Sequence, residues 1–208
     1  MGALLFDFWG TLLDHGTYSP IRQTYKIMRP RMRFGDFVPR FEQAFMTATF
    51  ESQEQAFKAA AEELHVRLKP FMVDKLIGLW NKSRLLAQPY PETFTVLEDL
   101  KKEHKLVLLS NTDCFVESVL NKFEIEKYFD LIALSYQTGL LKQDAKSFAL
   151  VAKKLKMKKN DLIMIGDSME TDINGAERAG VRAILVDRRD RRAHDPKIAD
   201  LTGLKEVL

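Results

Sequence analysis

Ala3-Leu4-Leu5-Phe6-Asp7-Phe8-Trp9-Gly10-Thr11-Leu12 is the stretch that decides the fold of this 208-residue chain. A short apolar run bounded by turn signals reads as a strand buried on both faces. The run ends at a lone aspartate, and Trp9, Gly10 and Thr11 then break the periodicity, so Asp7 stands at the carboxyl end of the strand. An unpartnered aspartate is costly to bury there, which marks Asp7 as functional rather than structural.

Outward from this stretch, residues 20–87 follow the helical period without a strand-like run. Ser52 is placed as an N-cap, with Gln55 three residues on and Ala56, Phe57, Ala60 and Leu64 forming the stripe that follows. Phe34, Phe37, Phe41, Phe45 and Phe50 read as the core of this helical unit rather than a substrate cage. A Pro89-Tyr90-Pro91 turn closes it. Beyond the turn, helices over 92–102, 114–123, 144–155 and 169–179 alternate with strands over 105–110, 131–134, 162–165 and 183–186. Such alternation means a parallel sheet with helices on both faces. The expected architecture is α/β: a Rossmann-like doubly wound parallel sheet (1–14 and 89–208) with a small helical cap domain (15–88) inserted after the first strand.

Hydrophobic residues make up 46% and charged residues 29% of the chain, which excludes disorder as its main state. No apolar run approaches the roughly 18 to 20 residues of a membrane span. The first residues lack a basic n-region and a small-residue cleavage site, so a soluble, unprocessed, cytoplasmic protein without a membrane partner is expected. The single cysteine, Cys114, permits no intramolecular disulfide, and with no histidine nearby it is expected to pack rather than react. A net charge of +3 is too balanced to argue for nucleic acid. The basic excess lies early, 12 basic against 7 acidic residues over 15–88, which suits either an anionic ligand or a solvated face. The charged run Arg188 to Arg192 reads as a solvated loop. His65, His104 and His194 are scattered, without metal-ligand spacing. The chain is expected to be a monomer or a homodimer.

In open parallel sheets, ligands bind beyond the carboxyl ends of the strands. The polar residues at those ends are Asp7, Ser110 with Asn111, and Asp167; Lys142 follows Gly139 in a loop, and Asp172 opens the helix after Asp167. Carboxylates gathered at one site repel each other unless a cation neutralises them, and hard oxygen ligands suit magnesium rather than zinc. Mg2+ is therefore the expected cofactor. A lysine beside a metal and a cluster of hydrogen-bond donors is what a phosphoryl group requires, since its transfer is catalysed mainly by positioning and charge neutralisation.

The ordered set FDFWGTL (Phe6 to Leu12), LLSNTD (Leu108 to Asp113), GLLK (Gly139 to Lys142) and IGDSMETDINGAERAG (Ile165 to Gly180) resembles the four motifs of the haloacid dehalogenase-like hydrolase superfamily, in its helical-cap subfamily. The resemblance spans essentially the whole chain. It implies that Asp7 is the nucleophile, forming an aspartyl-phosphate and binding Mg2+. It further implies that Thr11 supports that aspartate, that Ser110 with Asn111 beside it binds phosphoryl oxygens, and that Lys142 neutralises nucleophile and phosphate. Asp167 and Asp172 match the acidic pair that holds Mg2+, and the Trp9 carbonyl matches a further ligand.

Trp9 is the departure. Phosphatases of the superfamily generally carry an aspartate there as general acid and base, a role worth about 100- to 10,000-fold, which indole cannot fill. Three readings accommodate it: a magnesium-dependent phosphohydrolase of a small phosphorylated metabolite with that acid absent or replaced; a 2-haloacid dehalogenase, whose corresponding residue is also aromatic; and a catalytically weak phosphate-binding or regulatory protein. Asp14 and His15, at the entry to the cap, read as solvated. Trp9, Gly10, Tyr18, Arg22 and Lys26 are the expected substrate contacts, Arg22 and Lys26 lying one helical turn apart.

Overall fold

The computed structural model describes residues 2–208. Among them the elements run as β1 (Ala3–Phe6), a short β2 (Leu13–Asp14), and the helices α1 (Pro20–Met28), α2 (Phe34–Met46), α3 (Gln53–Glu63) and α4 (Pro70–Leu86). After β3 (Gln88–Pro89) come α5 (Thr93–Leu100), β4 (Lys105–Ser110), α6 (Glu117–Lys122), β5 (Leu131–Leu134), α7 (Ser135–Thr138), α8 (Ala145–Leu155) and β6 (Leu162–Gly166). The chain ends with α9 (Asn174–Ala179), β7 (Arg182–Val186), β8 (Lys197–Ile198) and α10 (Leu204–Val207).

The main sheet is parallel, in the order β5-β4-β1-β6-β7-β8. β1 is paired on both edges, which is why all four of its residues are apolar and buried. Side chains alternate across the sheet. Leu4, Phe6, Leu106 and Leu108 enter one core with Leu97 and Leu120; Leu5, Val107 and Met164 enter the other with Phe148, Val151 and Ala176. The α/β fold, with a helical cap after the first strand, is thus as expected. No helix of the described residues is long and apolar enough to cross a membrane.

β2 and β3 pair antiparallel, Leu13 opposite Pro89 and Asp14 opposite Gln88, so the two chain segments joining cap to sheet run side by side. Ser52 caps α3 by accepting from Gln55 N–H (3.2 Å). Phe37, Phe41, Phe45, Phe57 and Trp80 form the cap core, with Phe34 and Phe50 packed against it. Leu141 of the sheet side is buried in the same cluster, so cap and sheet share an apolar contact.

Two helix starts differ from expectation. Asp113 spends its carboxylate on Phe115 N–H (2.9 Å) and on Arg84, so residues 114–116 form a turn and α6 begins at Glu117. The segment Met169–Ile173 is a π-helical turn leading into α9, a form common at functional sites. The Arg84–Asp113 pair joins cap to sheet at 2.7 Å, with side chains only 9% and 4% exposed. Removing one partner strands a buried charge. Asp113→Ala is expected to lower stability by about 3 kcal/mol in denaturant unfolding, whereas Asp113→Asn, which keeps a hydrogen-bond acceptor, should lose less.

Candidate active site

Register brings the polar strand ends together. Phe6 is level with Leu108 on one side and Ile165 on the other, so the residues after them leave the sheet at one edge. Asp7 N–H still donates to Ile165 O (2.9 Å), which fixes its start. Ser110 Oγ donates to Asp7 Oδ1 (3.0 Å). Lys142 Nζ pairs with that same Asp7 oxygen and with Asp172 Oδ1 (2.5 Å). Asp172 also accepts from Ser168 N–H (2.9 Å) and Thr171 Oγ (3.1 Å). Two glycines make this proximity possible: a Cβ on Gly10, whose φ is +85°, would lie 2.5 Å from Asp167 Oδ2, and one on Gly166 would collide with the Asp172 carboxylate.

Burial pushes Asp7 up to about 6, with Lys142 drawing it down and Asp172 adding to the rise. Burial, reinforced by Asp7 and Asp172, pushes Asp167 up to about 7. Lys142 is raised above the usual lysine value: burial opposes its charge, but the Asp172 and Asp7 carboxylates outweigh it. Carboxylate oxygens of Asp7, Asp167 and Asp172 lie within 4.8 Å of one another. One ammonium among three carboxylates leaves two negative charges unbalanced, and an all-oxygen donor set fits a hard divalent cation such as Mg2+.

The remaining expected residues divide into two groups. Asn111 is at the site: its Oδ1 accepts from Lys142 N–H (2.9 Å), and its Nδ2 donates to Gln143 Oε1 (2.8 Å) and Glu42 Oε2 (3.2 Å). Trp9 follows Asp7, its indole N–H donates to Thr112 Oγ1 (3.3 Å), and its carbonyl accepts no hydrogen bond among the described residues. Thr11 is fully buried, but its hydroxyl has no partner among the described residues; its carbonyl accepts from Arg188 (2.9 Å). Tyr18, Arg22 and Lys26 are not brought to the cluster. All three are exposed, and the Arg22 guanidinium lies 4.3 Å over the Phe34 ring, held by the cap's own aromatic surface.

Two expectations of solvation are corrected. His15 stacks on Trp9 (5.0 Å, 10°), and burial pushes its pKa down to about 4. In the run from Arg188, Arg189, Asp190 and Arg191 are exposed as expected, but Arg188 and Arg192 turn inward: Asp187 accepts the N–H groups of Arg191 (2.8 Å) and Arg192 (2.7 Å), Arg188 pairs with Glu92 (2.7 Å), and Arg192 bonds the Asp167 carbonyl. Glu42 was not anticipated either. It sits beside Phe41 at the edge of the phenylalanine stripe, and a charged residue at the margin of a buried stripe is the signal that could have revealed it. Gln143 carries no signal beyond adjacency to Lys142.

The family model for haloacid dehalogenase-like hydrolases matches residues 4–186. The chain belongs to that family. It is therefore a hydrolase. It is 30% identical over 153 residues to a glyceraldehyde 3-phosphate phosphatase of Methanothermobacter thermautotrophicus, covering 67% of this chain and 68% of that one. It spans only 39 to 47% of several other curated relatives. Among solved structures, a phosphatase from Thermococcus onnurineus (TM-score 0.67, 21% identity) and a 2-haloacid dehalogenase from Pseudomonas syringae (TM-score 0.67, 20% identity) share the fold, each covering 100% of this chain and 97% of its own.

A carboxyl whose folded pKa is raised stabilises the fold while it is protonated, and that contribution is lost as pH rises toward the raised value. The metal-free protein should therefore lose thermal stability between about pH 4 and pH 7, and Asp167→Asn should flatten much of that slope. Mg2+ should raise the melting temperature more at pH 7.5 than at pH 5, because its ligands must be deprotonated.

Proposed function

We propose that this hydrolase is a magnesium-dependent phosphohydrolase of a small phosphorylated metabolite, with Asp7 as its nucleophile. The observation that carries the reading is the Asp7–Lys142–Asp172 ion-pair chain with Asp167 alongside. An aspartate held at its oxygen by Ser110 and Lys142 is aimed and kept ionisable, as attack on phosphorus requires. Lys142 has three ammonium protons, and the two carboxylates engage two, which leaves one for a phosphoryl oxygen. Ser110 donates to a phosphoryl oxygen only by turning its single hydroxyl proton away from Asp7 Oδ1.

Asp7, Asp167, Asp172 and the free Trp9 carbonyl are the groups that would hold Mg2+, which when bound supplies charge neutralisation for the phosphoryl oxygens. The Asp7 carboxylate attacks phosphorus, the bond to the leaving oxygen breaks, and an aspartyl-phosphate forms on Asp7. Water then attacks that phosphorus, and phosphate leaves with the carboxylate restored. The cap, taken as residues 15–88, lies over this edge of the sheet and excludes bulk water. A phosphatase among the relatives supports a small phosphate ester as substrate. Trp9 and Gly10 line the nucleophile loop, whereas Tyr18, Arg22 and Lys26 stay outside the site.

The aromatic Trp9 favours a dehalogenase as the second reading, and one set of assays separates the two. Native protein is expected to release phosphate from acetyl phosphate and p-nitrophenyl phosphate only with Mg2+, and no halide from 2-chloropropionate. Asp7→Asn should lower phosphate release on the order of 10,000-fold or more, as loss of a covalent nucleophile does elsewhere. Metal-independent halide release would reverse the assignment.

A further inference from the structure

Hydrolysis of a phosphate ester needs one group that gives a proton to the leaving oxygen and later takes one from water. The Trp9 indole cannot serve, and its N–H is committed to Thr112. His15 is stacked flat on Trp9, and burial pushes its pKa down to about 4, so near neutral pH it holds no imidazolium proton to give. Glu42 is different. It stands on cap helix α2, is 6% exposed, and is clamped through a single oxygen: Oε2 accepts from Gln143 Nε2 (2.7 Å) and Asn111 Nδ2 (3.2 Å). Oε1 takes no hydrogen bond among the described residues.

Both clamps belong to the site. Asn111 follows Ser110, Gln143 follows Lys142, and Asn111 Oδ1 ties the two loops by accepting Lys142 N–H (2.9 Å). A cleft of about 520 Å³ between Pro39 and Gln43 of α2 and the loop 139–145 has Gln143, one of the two clamps, in its wall. The charged groups felt by Glu42 are Lys142 and Asp172. Burial raises its pKa most, the Gln143 bond, the Lys142 charge and the Asn111 bond lower it, and Asp172 raises it.

We infer that Glu42, delivered by the cap, is the proton-transfer group of this enzyme, taking the role that Trp9 cannot fill. The inference rests on the phosphohydrolase reading. As Asp7 attacks and the ester bond breaks, the Glu42 proton passes to the leaving oxygen, giving the alcohol and a Glu42 carboxylate. As water attacks the aspartyl-phosphate, its proton passes to Glu42, and phosphate leaves with Asp7 restored. A carboxyl present only to hold the cap could be glutamine without loss of chemistry.

That contrast supplies the test. Phosphate release with Mg2+ is measured for native protein, Glu42→Gln and Glu42→Asp on p-nitrophenyl phosphate and on phenyl phosphate, whose leaving group is poorer and needs the acid more. Glu42→Gln is expected to lower kcat/KM about 100-fold or more on phenyl phosphate and less than about 10-fold on p-nitrophenyl phosphate, with the alkaline limb of the pH profile lost. Glu42→Asp, an acid set back by one methylene, should lose activity in the same order and keep that limb; it carries the comparison if the glutamine variant does not fold. Equal losses on both esters, or none, would overturn the role of Glu42 while leaving the phosphohydrolase reading standing. A native protein that hydrolyses neither ester overturns both.

Discussion

Lys142 is the charge on which the site depends. Its ammonium is buried between the carboxylates of Asp7 and Asp172, which keep it protonated in surroundings that would otherwise favour the neutral amine. Buried ion pairs contribute little net stability against desolvation, so such a cluster is held by the fold around it. β1 holds Asp7 through pairing on both edges, the π-helical turn holds Asp172, and Gly10 and Gly166 leave space where any Cβ would push the carboxylates apart. The pair accounts for only part of the negative charge. Asp167, pushed up to about 7 by burial and then by Asp7 and Asp172, carries the rest.

The cap is tied to the same few residues. Arg84 reaches Asp113, Phe50 N–H reaches Cys114 Sγ at 3.4 Å, and Glu42 reaches Asn111 and Gln143. All of these land on the loops after Ser110 and around Lys142. Leu141, one residue from that lysine, lies in the cap core. Asn111, which accepts from the Lys142 N–H and donates to Glu42, links the cap contact to the loop that carries Lys142.

The fold and most of the polar cluster were legible in the sequence because both rest on local pattern. A continuous apolar run marks a central strand, helix and strand alternate at regular spacing, and strand-end position identifies Asp7, Ser110, Asn111 and Asp167 without knowledge of any contact. What escaped depends on contacts distant in the chain. Arg188 and Arg192 read as solvated because nothing local reveals that Asp187 turns their loop inward. His15 read as solvated because its partner, Trp9, faces it only once Gly10 has turned the chain. The charge and helical spacing of Arg22 and Lys26 fix their shared face but not the direction in which α1 turns it.

Moving proton transfer from the nucleophile loop to the cap changes how the enzyme is controlled. An acid two residues after Asp7 would sit on the same rigid loop as the nucleophile and be present whether the cap was open or closed. Glu42 is held at the site by Asn111 and Gln143 from cap helix α2, so the acid we infer comes with the cap rather than with the nucleophile loop. An acid carried by a cap would join the nucleophile only with the cap in place, which is how cap-borne groups convert substrate binding into rate. Trp9 suits this arrangement. Its ring fills the loop by packing against Phe8 and His15, and leaves the nucleophile loop without a competing carboxylate next to a cluster already short of positive charge.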